Sequence, residues 1–130
     1  MKKKESPALG TEFRKPVRKL DVHTHLSNYP MADSGMFNVE ERMAFNEIMD
    51  IDHCILLTGV PGGIASEYMQ LSEDAFEVCN QYPDHFSWFC NVSPTGTRSD
   101  YEKLAGYKKM GAKGVGEFGY KRSEEHTSEL

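Results

Sequence analysis

Long apolar runs are missing from this chain. No segment of its 130 residues approaches the roughly 18 consecutive apolar residues of a membrane-spanning helix. The basic start, MKKKESPALGTEFRKPVRK, is not followed by the apolar stretch of a signal peptide. Cytoplasm is therefore the expected location, with no membrane partner. Cysteine is scarce too: Cys54, Cys79 and Cys90 are odd in number and lack close-paired spacing, which fits neither a disulfide framework nor a thiolate zinc site. Cys54 and Cys90 lie in apolar runs, where a reduced thiol packs as a small hydrophobe. Positive charge is thin beyond the start. Residues 1 to 19 hold seven Lys or Arg and two Glu, leaving eight basic against eighteen acidic residues for the rest. An acidic body of this kind has no electrostatic footprint for nucleic acid, and residues 1–18 read as a flexible basic leader.

What is present alternates between strand and helix signals. LDVHTHL within 19–26 reads as a first strand, and NVEERMAFNEIMD opens a helix with Asn38 as N-cap and Glu41 three residues on, the spacing of a capping box. HCILLTG (53–59) is a continuous apolar run of the kind buried on both faces of a parallel sheet. Ser72 is placed to cap a second helix through Ala75, Phe76 and Cys79, stopped before Pro83. HFSWFCNVS (85–93) reads as a third strand by its aromatics and valine. Ser99 with Glu102 repeats the capping-box spacing for a third helix, which passes Leu104 and Met110 and ends at Gly111. AKGVGEFGY (112–120) completes four strands, with starts roughly 30 residues apart, one β-alpha unit each.

Such alternation predicts a parallel sheet. A doubly wound sheet more often carries a glycine-rich phosphate turn after its first strand, whereas here SNYPMADSG follows. A barrel of eight such units takes roughly 250 residues, so four units in about 100 predict an α/β fold that is the N-terminal half of a (β/α)8 barrel of TIM type.

The chemistry-bearing signal is DVHTHL. In an extended strand residues i and i+2 leave the same face, so His23 and His25 point together while Val22, Thr24 and Leu26 point the other way. Paired imidazoles suit a divalent ion, although two ligands alone do not close a site. Asp21 shares the histidines' parity one layer deeper, where a carboxylate orients an imidazole or simply starts the strand. Tyr29 and Asn91 fall at the strands' C-terminal ends and are candidates for touching a substrate. His53 and His85 precede their strands and belong to the opposite rim, as surface or capping residues. The loop TGVPGGIASEY is either a rim of the pocket or only a turn.

DVHTHL on strand one with GVGEF on strand four resembles the amidohydrolase superfamily, in particular its amidohydrolase 2 branch, over about residues 17 to 121. The resemblance implies a distorted eight-stranded barrel whose strand-one H-x-H pair, here His23 and His25, binds a divalent metal. It also implies a supporting ligand at the end of strand four, where this chain has Glu117. Zinc leads for such ligands, with manganese or iron as alternatives. The implied activity is hydrolysis of a C–N or C–O bond of a small molecule by metal-activated water. Non-oxidative decarboxylation within the same superfamily, or a non-catalytic remnant, is the alternative. Phosphoesterases that begin with D-x-H-x-H end their second strand in an Asp-His pair, and this one ends in LLTG.

The family's further histidines and aspartate fall beyond residue 121, so the chain as it stands is expected to hold part of a site and no complete catalyst. A homo-oligomer of the full-length protein is left open. RSEEHTSEL (122–130) resembles the translated reading frame of a short-read sequencing adapter and is read as a non-native tail, with the natural chain interrupted near Lys121. On that reading Glu124, Glu125 and His126 are not ligands.

Overall fold

Four strands run side by side in chain order, all parallel: β1 (Leu20–Thr24), β2 (His53–Leu56), β3 (Phe86–Cys90) and β4 (Gly114–Val115). Three helices connect them, α1 (Val39–Met49), α2 (Ser72–Gln81) and α3 (Arg98–Lys109). This computed structural model describes residues 18–30, 36–63 and 65–118; apart from Arg18, the predicted leader and tail lie outside these ranges.

The expected alternation of strand and helix is present, and the layering of the described residues is compatible with half of a TIM-type barrel. Cys54, Leu56, Phe86, Trp88 and Cys90 alternate along β2 and β3, all on one face, and form the buried core. Onto that one face pack Val39 and Met43 of α1, Ala75 and Val78 of α2, and Leu104 and Tyr107 of α3. A doubly wound sheet puts helices on both faces and reverses its strand order. Here the order is sequential and one helix layer serves the sheet. Each large apolar side chain removed from water in this layer contributes roughly 1.5–3 kcal/mol. Trp88 joins two helices by edge-on ring contacts, with Phe76 of α2 at 6.0 Å and Tyr107 of α3 at 5.9 Å between centroids. On the opposite face Ile55, Ser87 and Phe89 remain half-buried.

The helix starts follow the sequence in one case and depart from it in two. Asn38 accepts the Glu41 N–H and Glu41 accepts the Asn38 N–H, both at 2.9 Å, so α1 starts with the capping box its spacing predicted. α2 starts one residue before the predicted cap. Leu71 is its N-cap, with the Leu71 N–H donated to Asp74, because the Ser72 hydroxyl is drawn inward to accept the Asn91 N–H at 2.9 Å. α3 is capped by Thr97, whose hydroxyl accepts the Asp100 N–H at 3.2 Å, and Ser99 lies inside the helix. It ends at Gly111 as expected, where φ is +109°.

β4 is shorter than the predicted strand 112–120, of which residues 119 and 120 lie outside the described ranges. It pairs with β3 only through Phe89–Gly114 and Cys90–Val115. Gly116 still donates its N–H to the Cys90 carbonyl at 2.9 Å, but there the chain takes φ +142°, a conformation rarely open to L side chains, and the paired strand ends.

Candidate metal centre

β1 is irregular where its chemistry begins. Asp21 pairs with Cys54 and Thr24 with Leu56, so three steps on β1 match two on β2 and one residue is bulged out. The bulge breaks the simple alternation. Paired residues of neighbouring parallel strands share a face, which sets Asp21 beside Cys54, towards the helices. Asp21 accordingly pairs with Arg42 of α1. The Arg42 Nε–H is donated to Asn46 Oδ1 at 2.8 Å, and the Asn46 amide is donated to Cys54 Sγ at 3.2 Å.

The expectation that Asp21 would share the histidines' face is thus corrected, and of its two readings, orienting an imidazole or starting the strand, its contacts, which reach neither imidazole, do not support the first. Its carboxylate accepts the His23 backbone N–H at 3.0 Å and acts on the main chain. Partial burial pushes its carboxyl up, but the His23 N–H and the Arg42 guanidinium together outweigh that and hold it below the ordinary 3.8. Val22, expected to share the face of Thr24 and Leu26, is exposed, whereas those two are buried.

Beyond the bulge the two histidines meet. His23 Nε2 and His25 Nε2 are 3.2 Å apart, and each approaches Glu117 Oε1, at 2.9 and 3.0 Å. Glu117 follows β4, 92 residues away from His25, and the three come together at the C-terminal rim of the sheet. Among the described residues this is the one group of three or more His, Cys, Asp or Glu side chains able to share an ion.

The donor chemistry fits a cation. His25 Nδ1 lies 3.2 Å from the Leu57 carbonyl, which only accepts, so Nδ1 is the donating nitrogen there and Nε2 is the one turned to the site. Both Nε2 atoms and a carboxylate oxygen then converge, an arrangement that a proton or a metal ion between them would hold together. Zinc holds such donors at ~2.0–2.2 Å in a tetrahedron, with donor-to-donor edges near ~3.3 Å, close to the separations seen. Glu117 and His23 are about half exposed, 46% and 58% of their side chains, so water and small molecules reach the group.

Asn91 is brought to Glu117 in a different role from the one expected. It is buried, and its amide N–H groups are donated to the Thr58 carbonyl at 2.7 Å and the Glu117 carbonyl at 2.8 Å. The side chain ties the end of β2 to the backbone of Glu117. Tyr29 is 59% exposed and does not line the cavity beside the three ligands. That cavity, about 300 Å³, extends from His25 and Glu117 along Thr58, Gly59, Val60 and Gly63, so the glycine-rich loop after β2 does form its rim. A larger groove of about 800 Å³ between α3 and β4 is lined by none of the three ligands.

His53 lies at the opposite rim, as expected. Its Nδ1–H is donated to the Asp84 carbonyl at 3.0 Å, and its Nε2 accepts from the Ser87 hydroxyl at 2.7 Å. His85 is exposed there. Sequence reasoning missed Arg42, whose partner lies 21 residues away with no local signal. It missed the apolar cavity wall of Met36 and Met69 for the same reason.

No family model matches the chain, and no curated protein or solved structure is significantly similar to it. The site stands on its geometry.

Proposed function

We propose that His23, His25 and Glu117 hold a divalent metal ion, zinc first and manganese or iron as alternatives. We further propose that the chain is the first half of the barrel of an amidohydrolase-type hydrolase acting on a C–N or C–O bond of a small molecule. The observation that carries this reading is the meeting of the two imidazoles and the carboxylate at the C-terminal rim of a parallel sheet. In barrels of this kind the chemistry lies at that rim, and four sequential strands under one helix layer are what the first four units would present.

A bound ion would polarise a substrate carbonyl and lower the pKa of a coordinated water to ~7. The chain's own groups would position that ion and its ligands. The Leu57 carbonyl fixes the His25 tautomer, Glu117 supplies the negative charge that balances the cation, and the Asp21 carboxylate pins the backbone of His23. Asn91 holds the backbone of Glu117 against the end of β2.

The test is a calorimetric zinc titration of the chain alongside His23→Ala, His25→Ala and Glu117→Gln. The expected result is one ion per chain, with at least a tenfold weaker affinity in each variant and an unchanged far-ultraviolet spectrum. Equal zinc uptake in all three variants would overturn the assignment.

A further inference from the structure

We infer that the cavity beside the ligands is a subsite for a small, uncharged, apolar group of the substrate, such as an aryl or short alkyl moiety. This deepens the hydrolase proposal and rests on it for the word substrate, although the cavity's selectivity can be measured without any metal. Its volume of about 300 Å³ holds about ten non-hydrogen atoms at roughly 30 Å³ each, as in liquid water.

Met36, Val60, Ala65 and Met69 supply its apolar wall, with His25 and Glu117 at its end. Methionine thioethers are polarisable and adjust to flat or branched apolar shapes. Among the described residues that line it there is no lysine or arginine, so a carboxylate or phosphate entering this wall would lose its hydration with no cation in return. Glu117 adds repulsion to any anion approaching while no metal is bound. The polar donors of Asn91, which also borders the space, are directed to the Thr58 and Glu117 carbonyls. A substrate would therefore lie with its scissile carbonyl towards His23, His25 and Glu117 and its neutral apolar end along Met36 and Met69.

The test uses the whole chain with its methionine methyls labelled with carbon-13. The metal-free chain is titrated with benzyl alcohol and, separately, with benzoate. The expected result is movement of the Met36 and Met69 methyl signals with benzyl alcohol, at an affinity at least tenfold above that for benzoate. Met69→Lys, which puts an ammonium into the wall, should reverse the preference, with the fold monitored by Trp88 fluorescence.

Equal or stronger binding of benzoate to the unsubstituted chain, or movement confined to Met43, Met49 and Met110, would overturn the subsite. A zinc-loaded sample titrated with benzohydroxamate and its 4-carboxylate separates the two proposals. If neither hydroxamate gains affinity from zinc, the metal reading fails while the benzyl alcohol result still decides the subsite. If both gain affinity and the 4-carboxylate binds as tightly as its parent, the metal reading stands and the subsite fails.

Discussion

Replacing Asn91 with alanine separates a structural clamp from a substrate-binding residue. The substitution removes two amide donors, to Thr58 O at 2.7 Å and Glu117 O at 2.8 Å, and leaves the Asn91 backbone N–H on Ser72 in place. Thr58 is buried, so its carbonyl is left without that donor out of reach of bulk water, at a cost of about 1–3 kcal/mol. Glu117 is exposed, its carbonyl can turn to water, and only the net value of one hydrogen bond is lost, about 0.5–1.5 kcal/mol.

The sum, about 1.5–4.5 kcal/mol, is a large part of the roughly 5–15 kcal/mol that a domain typically has. Urea unfolding followed by Trp88 fluorescence should show a lower midpoint with unchanged slope. Zinc affinity should fall about tenfold, roughly 1.4 kcal/mol, because the backbone of Glu117 loses its anchor. Asn91→Asp should be worse than alanine at neutral pH, since a carboxylate would face two carbonyl oxygens. A loss below about 0.5 kcal/mol in Asn91→Ala, or a loss of zinc affinity with stability intact, would refute the clamp and return Asn91 to the role of a group that touches the ligand directly.

Thr97→Ala should cost about 1 kcal/mol through the lost cap on α3 while Ser99→Ala costs a few tenths at most, measured by urea unfolding. Arg42→Met should destabilise by roughly 1–3 kcal/mol, because it leaves the partly buried Asp21 carboxylate without its guanidinium. Burial, and then the hydrogen bond to Glu73, push the Tyr107 phenol up to about 12 from 10.0. Its contribution to stability is therefore complete below pH 10 and lost as the pH climbs towards about 12, where the unfolded chain ionises first. Tyr107→Phe should remove that alkaline loss, and phenolate absorbance should show one tyrosine fewer among the last to ionise.

What could be seen in the sequence follows the range of the interactions involved. The strand and helix periods are local, and so are the Asn38 and Glu41 cap and the Gly111 stop, which appear where the spacing put them. His23 and His25 were legible for the same reason, being two residues apart. Glu117 was reached only through resemblance, since nothing near it in the chain announces a partner 92 residues earlier. The caps at Leu71 and Thr97 were misjudged because neighbouring serines satisfy the same local pattern, and the choice falls to contacts such as Ser72 with Asn91. The face of Asp21 was misjudged because a bulge is a property of two strands. Counting along one of them by twos carries no record of it.

That bulge divides β1 into two pieces that answer to different parts of the molecule. Its first half is keyed to α1 through Asp21 and Arg42, and its second half to the rim through His23, with His25 just beyond its end. The joint between them is the His23 N–H held by Asp21. A side chain on the outer helix layer is thereby linked to the backbone of a candidate ligand through a single carboxylate. Changes in how α1 seats against the sheet would reach the rim along that short relay.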